Sequence, residues 1–278
     1  MLAHFGKRSL LALLAILLPS VFPGAASAQD NGLVLYGAGS LREAMTEMAA
    51  LFSRERGIAV RTEFGASGRM RERIEAGDKV DVFTSADIGH AARLVADGRA
   101  SVMAMFARND LCLLAPASRV QAGSAGALDA LLGDGIKIGV SPARIDPLGA
   151  YTVQLFDIAD KVRPGSGSML RGRAVVIDNP PGTPPAQSGD LVLDALHDGR
   201  IGLAIVYCSS RARFAKLDPA FSMVAFPPNL TVGPQYGLAV MKAAKPEAML
   251  LALTILSPSG QKILAAGGFR PIALPDAP

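Results

Sequence analysis

The sequence predicts an α/β fold with two lobes, each a mostly parallel sheet flanked by helices. Three observations support this prediction. Strand-like and helix-like segments alternate almost from end to end, which is typical of parallel sheets covered on both faces. The pattern restarts with new strands after Pro116, and no long flexible linker interrupts it. The 278 residues are enough for two such lobes.

The predicted strands share runs of apolar or alternating residues, and the predicted helices share apolar residues at helical spacing. The strands cover 33–36, 58–63, 80–84, 111–115, 137–140, 173–177, 201–207, 221–226 and 237–241. The helices cover 41–56, 68–75, 86–97, 126–132, 148–161 and 189–197, with two more between 247 and 266. We therefore assign 29–111 and 223–278 to the first lobe, the latter as a return strand and the C-terminal helices, and 112–222 to the second.

Several boundaries have a local cause in the sequence. Apolar residues recur at helical spacing along 41–56 and give that helix one buried face. Gly77 ends the second helix. The segment 179–185 is so rich in proline and glycine that it predicts a stiff loop. Ser188 follows as the predicted N-cap of the next helix, which Gly199 ends.

Residues 1–28 are predicted to be a signal peptide that is cleaved after Ala28. Lys7 and Arg8 form a basic start, an apolar stretch follows, and Ala26-Ser27-Ala28 has the A-x-A form of a signal-peptidase site. The apolar stretch is interrupted by Pro19 and is short for a bilayer span. A retained membrane anchor is the alternative to export of the mature chain.

Composition and charge argue against several classes of protein. The formal net charge of +4 includes two charges of the leader, and so small a balance does not suggest nucleic acid or a membrane surface as a partner. Apart from the leader, the chain has two histidines, His90 and His197, and two cysteines whose spacing fits no metal or redox motif. Cys112 and Cys208 are compatible with a disulfide or with two free thiols.

Two similar turns, each containing a serine, are the candidate functional feature. They are Gly37-Ala38-Gly39-Ser40-Leu41 and Gly65-Ala66-Ser67-Gly68, and each follows a predicted strand. A serine at a helix N-terminus can offer its hydroxyl and free N–H groups to one small anion, with support from the helix dipole. Neighbouring strands would aim Ser40 and Ser67 at the same point. Arg69 opposes the dipole unless an anion is near, so it is either an accessory anion contact or part of a solvated basic face.

Other functions compete for these residues. Gly37-Ala38-Gly39 could begin a dinucleotide fingerprint, but Arg42 stands where the third glycine would be. Ser67 could be a hydrolase nucleophile, but the G-x-S-x-G spacing is missing and neither histidine is placed to activate it. Asp81 and Asp87 could be a carboxylate pair, although a structural role, with Asp87 as a helix cap, is the simpler interpretation.

Further motifs accompany the two turns along the chain. They are Ile74-Glu75-Ala76-Gly77, Val80-Asp81-Val82-Phe83-Thr84-Ser85-Ala86-Asp87, Pro147-Leu148-Gly149-Ala150-Tyr151, Gly202-Leu203-Ala204-Ile205-Val206-Tyr207, Leu256-Ser257-Pro258-Ser259-Gly260-Gln261 and Gly267-Gly268-Phe269. With these motifs, almost the whole mature chain resembles the periplasmic molybdate-binding proteins of ABC transporters, a group within the extracellular solute-binding proteins.

The resemblance implies a type II periplasmic-binding fold that captures molybdate or tungstate in the inter-lobe cleft for delivery to an ABC transporter permease. Molybdenum would then be bound as an oxyanion, without cation ligands, by a periplasmic monomer that uses no cofactor and catalyses no reaction. The oxyanion would be held by the hydroxyls of Ser40, Ser67 and Tyr207 and by the backbone amides of Leu148 and Gly189.

The alternative is the same fold with another small anion or an organic acid as its ligand. The proline-rich loop 180–185, the glycine at 189 and the charge of Arg69 depart from the pattern that the resemblance implies. The sequence leaves the ligand open among molybdate, tungstate and another anion. It also leaves open the affinity, the permease and the contact between Arg69 and the ligand.

Overall fold

The structure is a computed structural model that describes residues 1–2, 32–120 and 123–272. From Gly32 onward the chain forms one compact unit. The predicted leader, apart from its first two residues, and the predicted cleavage site after Ala28 lie outside the described residues. Their prediction therefore rests on the sequence.

Two sheets and the helices around them make up the compact unit. In chain order the strands are β1 (Leu33–Ala38), β2 (Val60–Gly65), β3 (Val82–Ser85), β4 (Ala100–Arg108), β5 (Leu111–Pro116), β6 (Ile138–Val140), β7 (Ala174–Val176), β8 (Leu203–Tyr207), β9 (Phe221–Ala225), β10 (Gln235–Met241) and β11 (Arg270–Pro271). The α-helices are α1 (Arg42–Arg56), α2 (Ser67–Glu75), α3 (Ile88–Ala96), α4 (Ala127–Leu132), α5 (Pro147–Val162), α6 (Ser166–Arg173), α7 (Leu191–His197), α8 (Arg211–Leu217), α9 (Ala248–Leu256) and α10 (Pro258–Ala266).

The first sheet places the two serine turns side by side. Its strand order is β11-β4-β10-β3-β1-β2. β1 runs parallel to both β2 and β3, because a helix carries the chain back after each of the first two strands. In the register of β1 and β2, Ala38 pairs with Gly65. Both strands therefore end at the same edge of the sheet, and each serine turn starts there.

The second sheet has the order β7-β6-β8-β5-β9. β6 is parallel to β7 and β8, whereas β5 is antiparallel to β8 and β9. A disulfide between Cys112 and Cys208 joins β5 to the residue that follows β8, so the bridged alternative holds for the two cysteines. The predicted return to the first lobe at 223 falls within β9, and every residue of β9 pairs with β5 in this second sheet.

The α/β fold with two sheets flanked by helices is confirmed, with a larger antiparallel share than the sequence pattern suggested. Parallel neighbours require a crossover of a dozen or more residues, usually a helix. The chain enters β5 directly from the first sheet and β10 directly from the second sheet. Neither strand is therefore required to run parallel to its neighbours. β10 accordingly runs antiparallel to both β3 and β4.

One large apolar cluster runs through both halves of the unit, and includes Leu35 of β1 and Leu113 of β5. A second cluster around Phe83 and a third around Phe214 cover other faces of the two sheets. The central strands are thus buried on both sides, as parallel strands between helix layers usually are.

The helix predicted at 189–197 begins two residues later than expected. Asp190, not Ser188, is its N-cap, and the Asp190 carboxylate accepts a hydrogen bond from the amide of Val192. Ser188 instead donates its hydroxyl proton to the carbonyl of Asp190. Gly189 therefore lies before the helix rather than inside its first turn.

No single helix within the described ranges is long and apolar enough to cross a membrane. α9 and α10 reach that length and composition only as a pair, and they are bent by 63° at their junction.

Candidate ligand-binding cleft

A cleft of about 1640 Å³ lies between the two sheets of the compact unit. The serine turns of the first sheet form one wall, and the N-terminal ends of α5 and α7 and the end of β8 form the other. The structure brings together all the residues that the sequence proposed for the site. Those lining the cleft are Ser40, Ser67, Arg69, Leu148, Gly189 and Tyr207.

The Ser40 hydroxyl belongs to a chain of hydrogen bonds that leaves its proton available. Ser40 Oγ lies 3.0 Å from the hydroxyl of Tyr236, in β10. Asn109 Nδ2 donates to the same Tyr236 oxygen at 3.1 Å. Because Asn109 Nδ2 can only donate, the Tyr236 proton is free to point at Ser40 Oγ. Ser40 can then direct its own proton into the cleft.

The Ser67 hydroxyl is oriented by a backbone donor. Ser67 is the first residue of α2 and is 1 % exposed. Its Oγ accepts a hydrogen bond of 3.1 Å from the amide of Ala86. An amide supplies the only proton of that bond, so the Ser67 hydroxyl proton remains for another acceptor. Ser40 and Ser67 thus offer two neutral donors from neighbouring turns.

Tyr207 brings an unsatisfied donor to the opposite wall. It is the last residue of β8, and its buried hydroxyl has no hydrogen-bond partner of standard geometry among the residues described, although it interacts with the Tyr236 hydroxyl. Burial raises the pKa of Tyr207 well above its ordinary value, so the phenol stays protonated. A buried polar group without a partner costs roughly 1–3 kcal/mol. A ligand that accepts this proton would remove that cost.

The two backbone amides predicted for the site already have acceptors. The amide of Leu148 donates to Asp146 Oδ1 at 3.0 Å, because Asp146 is the N-cap of α5. The amide of Gly189 donates to the carbonyl of Ala186 at 3.2 Å. Both residues line the cleft, but neither N–H is free in this conformation.

Arg69 links the two sides of the cleft. Its Nη1 donates to the carbonyl of Asn179 at 2.9 Å, and its Nη2 lies 3.4 Å from the Asp178 carboxylate. Both partners follow β7 on the second-sheet side. The neighbouring Gly68 amide also crosses the cleft and donates to the carbonyl of Ile145 at 2.8 Å. The Arg69 guanidinium is therefore engaged by protein groups from the opposite wall.

Three residues of the cleft region that are candidates for a functional role were not predicted from the sequence. Tyr236 and Asn109, both buried, reach Ser40 only through the pairing of distant strands, so no local pattern points to them. Asp146 had a readable signal, since an aspartate directly before a proline is typical of an N-cap followed by the first helical residue. Its carboxylate lines the cleft beside Leu148.

The competing sites have structural explanations. Asp81 accepts hydrogen bonds from the amides of Val34 and Lys245, and Asp87 caps α3. His197 pairs with Asp218. Within the described ranges, no group of three or more potential metal-ligating side chains is close enough to hold a metal ion.

A two-sheet α/β unit with polar groups from both sides facing one cleft is typical of solute-binding proteins. The chain matches the model of the bacterial extracellular solute-binding protein family over residues 33–270, and it belongs to that family. It is a solute-binding protein of the ABC-transporter type, a class that binds small ligands and delivers them to permeases. Membership of this extracellular family implies a periplasmic location.

Two relatives in sequence differ in how much of the chain they match. The uncharacterized protein PM1146 of Pasteurella multocida is 30% identical over 238 residues, which cover 85% of this chain and 98% of that protein. The molybdate-binding protein ModA of Escherichia coli is 33% identical over 101 residues, which cover 35% of this chain and 39% of ModA.

Solved structures share the fold at lower identity. The periplasmic molybdate-binding protein of Azotobacter vinelandii has a TM-score of 0.69 at 21% identity, covering 88% of this chain and 100% of its own. The sulfate-binding protein SubI of Mycobacterium tuberculosis has a TM-score of 0.70 at 17% identity, covering 87% of each chain. L-Phospholactate-bound PEB3, a Campylobacter jejuni protein, has a TM-score of 0.63 at 15% identity, covering 86% of this chain and 99% of its own.

Proposed function

We propose that this protein captures a small tetrahedral oxyanion, with molybdate and tungstate as the first candidates, and delivers it to an ABC transporter permease. The observation that carries the proposal is the presence in one cleft of three hydroxyls, from Ser40, Ser67 and Tyr207, each with a proton to donate. Several neutral donors can hold a buried anion without a fixed counter-charge. The proposed protein is a periplasmic monomer that needs no cofactor and catalyses no reaction.

The relatives support a tetrahedral oxyanion as the ligand class. Two of them are named as molybdate-binding proteins and one as a sulfate-binding protein. Tungstate is nearly isosteric with molybdate, so three hydroxyl donors would accept either. The amides of Leu148 and Gly189 can join the hydroxyls only if each exchanges its present acceptor for the anion.

Calorimetric titration of molybdate and tungstate into single variants tests the site. Ser40→Ala, Ser67→Ala and Tyr207→Phe each remove one hydrogen bond to a charged ligand, which costs roughly 1.5–3 kcal/mol. The expected loss of affinity is about ten- to a hundredfold for each variant. Ser168→Ala, on the exposed surface of α6, is the matched control and should bind like the wild type. Unchanged affinity in both serine variants of the cleft would refute the site.

A different small anion, including an organic acid, is the second candidate. A cleft of about 1640 Å³ can hold more than one tetrahedral ion, and Arg69 and Asp146 add charged groups to its lining. One structural relative is named with L-phospholactate bound. A thermal-shift panel of molybdate, tungstate, sulfate, phosphate and small carboxylates separates the two candidates. Stabilisation by carboxylates alone would overturn the oxyanion proposal.

A further inference from the structure

The wall opposite the serines carries a carboxylate beside one of the amides that the sequence proposed for the anion. Asp146 lines the cleft, and its Oδ1 accepts the Leu148 amide at 3.0 Å. Its negative charge contributes, after burial and Tyr236, to the raised pKa of Tyr207. Asp146 therefore lies within electrostatic range of the phenol that faces the proposed ligand.

The charged and titratable groups around Asp146 do not neutralise it. The positive charge of Arg69 in α2 lowers the pKa of Asp146, but burial outweighs it, and the Arg69 guanidinium is engaged by Asp178 and Asn179. Asp178 adds a second negative charge from the segment after β7. From β8 and β10, respectively, the neutral phenols of Tyr207 and Tyr236 face it. Among the residues described, no ion pair to Asp146 is formed.

The N-cap of α7 is a useful contrast. Asp190 also accepts an amide of its helix and also lines the cleft, but it forms an ion pair with Arg213. Its charge is therefore matched by a cation. Asp146 and Asp190 have the same capping role, and only Asp146 lacks such a partner in the described part of the chain.

We propose, on the basis of the function proposed above, that the bound anion and Asp146 share one proton. A fully ionised oxyanion such as molybdate, tungstate or sulfate would be bound together with one proton from solvent, carried on Asp146 Oδ2. Oδ1 then keeps the Leu148 amide, and the new O–H donates to an oxygen of the anion. An anion with its own hydroxyl, such as hydrogen phosphate, would instead donate that proton to the carboxylate and require no uptake.

Like charges in a poorly hydrated site favour the protonated carboxyl group. Burial raises the pKa of Asp146 before any ligand is present, against the opposing hydrogen bonds from the Leu148 amide and the Ser141 hydroxyl. An approaching dianion raises it further. The bound form therefore holds more protons than the free form. By linkage, the affinity for a fully ionised anion rises as the pH falls and weakens as the pH rises, by up to about tenfold per pH unit.

Calorimetry in two buffers with different enthalpies of ionisation measures the proton uptake directly. At about pH 8 the wild type should take up close to one proton with molybdate or sulfate, and none with inorganic phosphate, which already carries a proton there. Binding of molybdate and sulfate without proton uptake from about pH 6 to 8.5 would overturn this inference and leave the proposed function intact. Absence of binding by any oxyanion would overturn the proposed function itself.

Two matched variants locate the proton. Asp146→Asn keeps an oxygen for the Leu148 amide and supplies a permanent N–H donor, so molybdate binding should become independent of pH, with no proton uptake. Asp190→Asn changes the other N-cap and should retain the uptake of the wild type. Equal proton uptake in the wild type and in Asp146→Asn would assign the proton to another group. The two-buffer measurement on the wild type remains decisive even if a variant fails to fold.

Discussion

Tyr236 shows how one buried side chain can prepare a donor that it does not itself present to the ligand. Its ring is fully buried and packs edge-on against Phe106, Tyr207 and Phe269. Its hydroxyl lies between Asn109 and Ser40. The ring thus holds the hydroxyl in place, and the hydroxyl determines where the Ser40 proton can point.

Tyr236→Phe should weaken oxyanion binding while leaving the packing of the ring in place. The variant removes one of the two acceptors of the Asn109 side-chain amide, the other being the Ser209 hydroxyl, and it removes the partner of Ser40. The loss of one such hydrogen bond costs roughly 0.5–1.5 kcal/mol. We expect an affinity loss of about two- to tenfold by calorimetry. Tyr36→Phe is the control, because Tyr36 does not line the cleft and its hydroxyl bonds Asp78 and Arg73, neither of which is proposed to hold the anion.

A double-mutant cycle separates this positioning role from a general structural one. In a Ser40→Ala background, Tyr236→Phe should have little further effect on affinity, because the donor that Tyr236 orients is already gone. Full additivity of the two substitutions would contradict the proposed chain from Asn109 through Tyr236 to Ser40.

The part of the site that follows local rules could be predicted from the sequence. Ser40 and Ser67 each lie where a strand ends and a helical pattern begins, so strand and helix periodicity are sufficient to find them. Tyr236 could not be found in this way, because its partner Ser40 is 196 residues away in sequence. The hydrogen bond between Leu148 and Asp146 is local, but its effect on a site amide becomes visible only when side-chain positions are known.

At the scale of elements, the N-terminus of α2 is held against the second-sheet side by a very close approach. The Gly68 amide donates to the Ile145 carbonyl, and a β-carbon at position 68 would lie 2.6 Å from that same oxygen. Only glycine fits without displacing one backbone segment. Since Ser67 is the preceding residue, this contact also fixes one of the proposed donors.

Gly68→Ala should therefore lower both stability and affinity. The displaced contact is backbone against backbone, and overpacking of this kind costs typically about 1–3 kcal/mol. Urea unfolding should show the loss of stability, and calorimetry a weaker binding of molybdate as Ser67 shifts. Gly172→Ala in α6 is the control, because a β-carbon there meets nothing within 4 Å and alanine favours a helix. Equal behaviour of the two variants would show that the close approach is unimportant.

A helix or a strand could be predicted from the sequence where its apolar residues follow the pattern typical of that element. β1 is a short apolar strand that is buried almost throughout, α1 has buried residues at helical spacing, and the sequence predicted both. β4 was missed because its central residues are partly exposed and its apolar residues do not alternate cleanly. α6 was missed because it consists largely of glycine, serine and arginine, with Leu170 among its few buried residues. The secondary structure of such segments depends on tertiary contacts, which the local sequence pattern does not indicate.

At the scale of the whole compact unit, three residues of α2 make contacts across the cleft. These contacts are the bond from Arg69 to Asn179 with its ion pair to Asp178, the bond from Gly68 to Ile145, and a longer ion pair between Glu72 and Arg144. Each joins α2 to a segment on the second-sheet side. They favour the arrangement in which the two walls face each other, which a hinged binding protein needs in order to enclose its ligand.

Arg69→Gln distinguishes a residue that joins the two walls from one that contacts the anion. The Arg69 and Asp178 side chains are 20% and 36% exposed, so solvent screens their ion pair and its contribution is at most about 1 kcal/mol. With the bond to Asn179 also lost, molybdate affinity should fall by about two- to tenfold. The ligand-free variant should also show a larger radius of gyration in small-angle X-ray scattering, because the closed arrangement has lost a contact. Arg93→Gln, which breaks an ion pair on α3 outside the cleft, should change neither quantity. A much larger loss of affinity with unchanged scattering would instead assign the Arg69 guanidinium to the ligand.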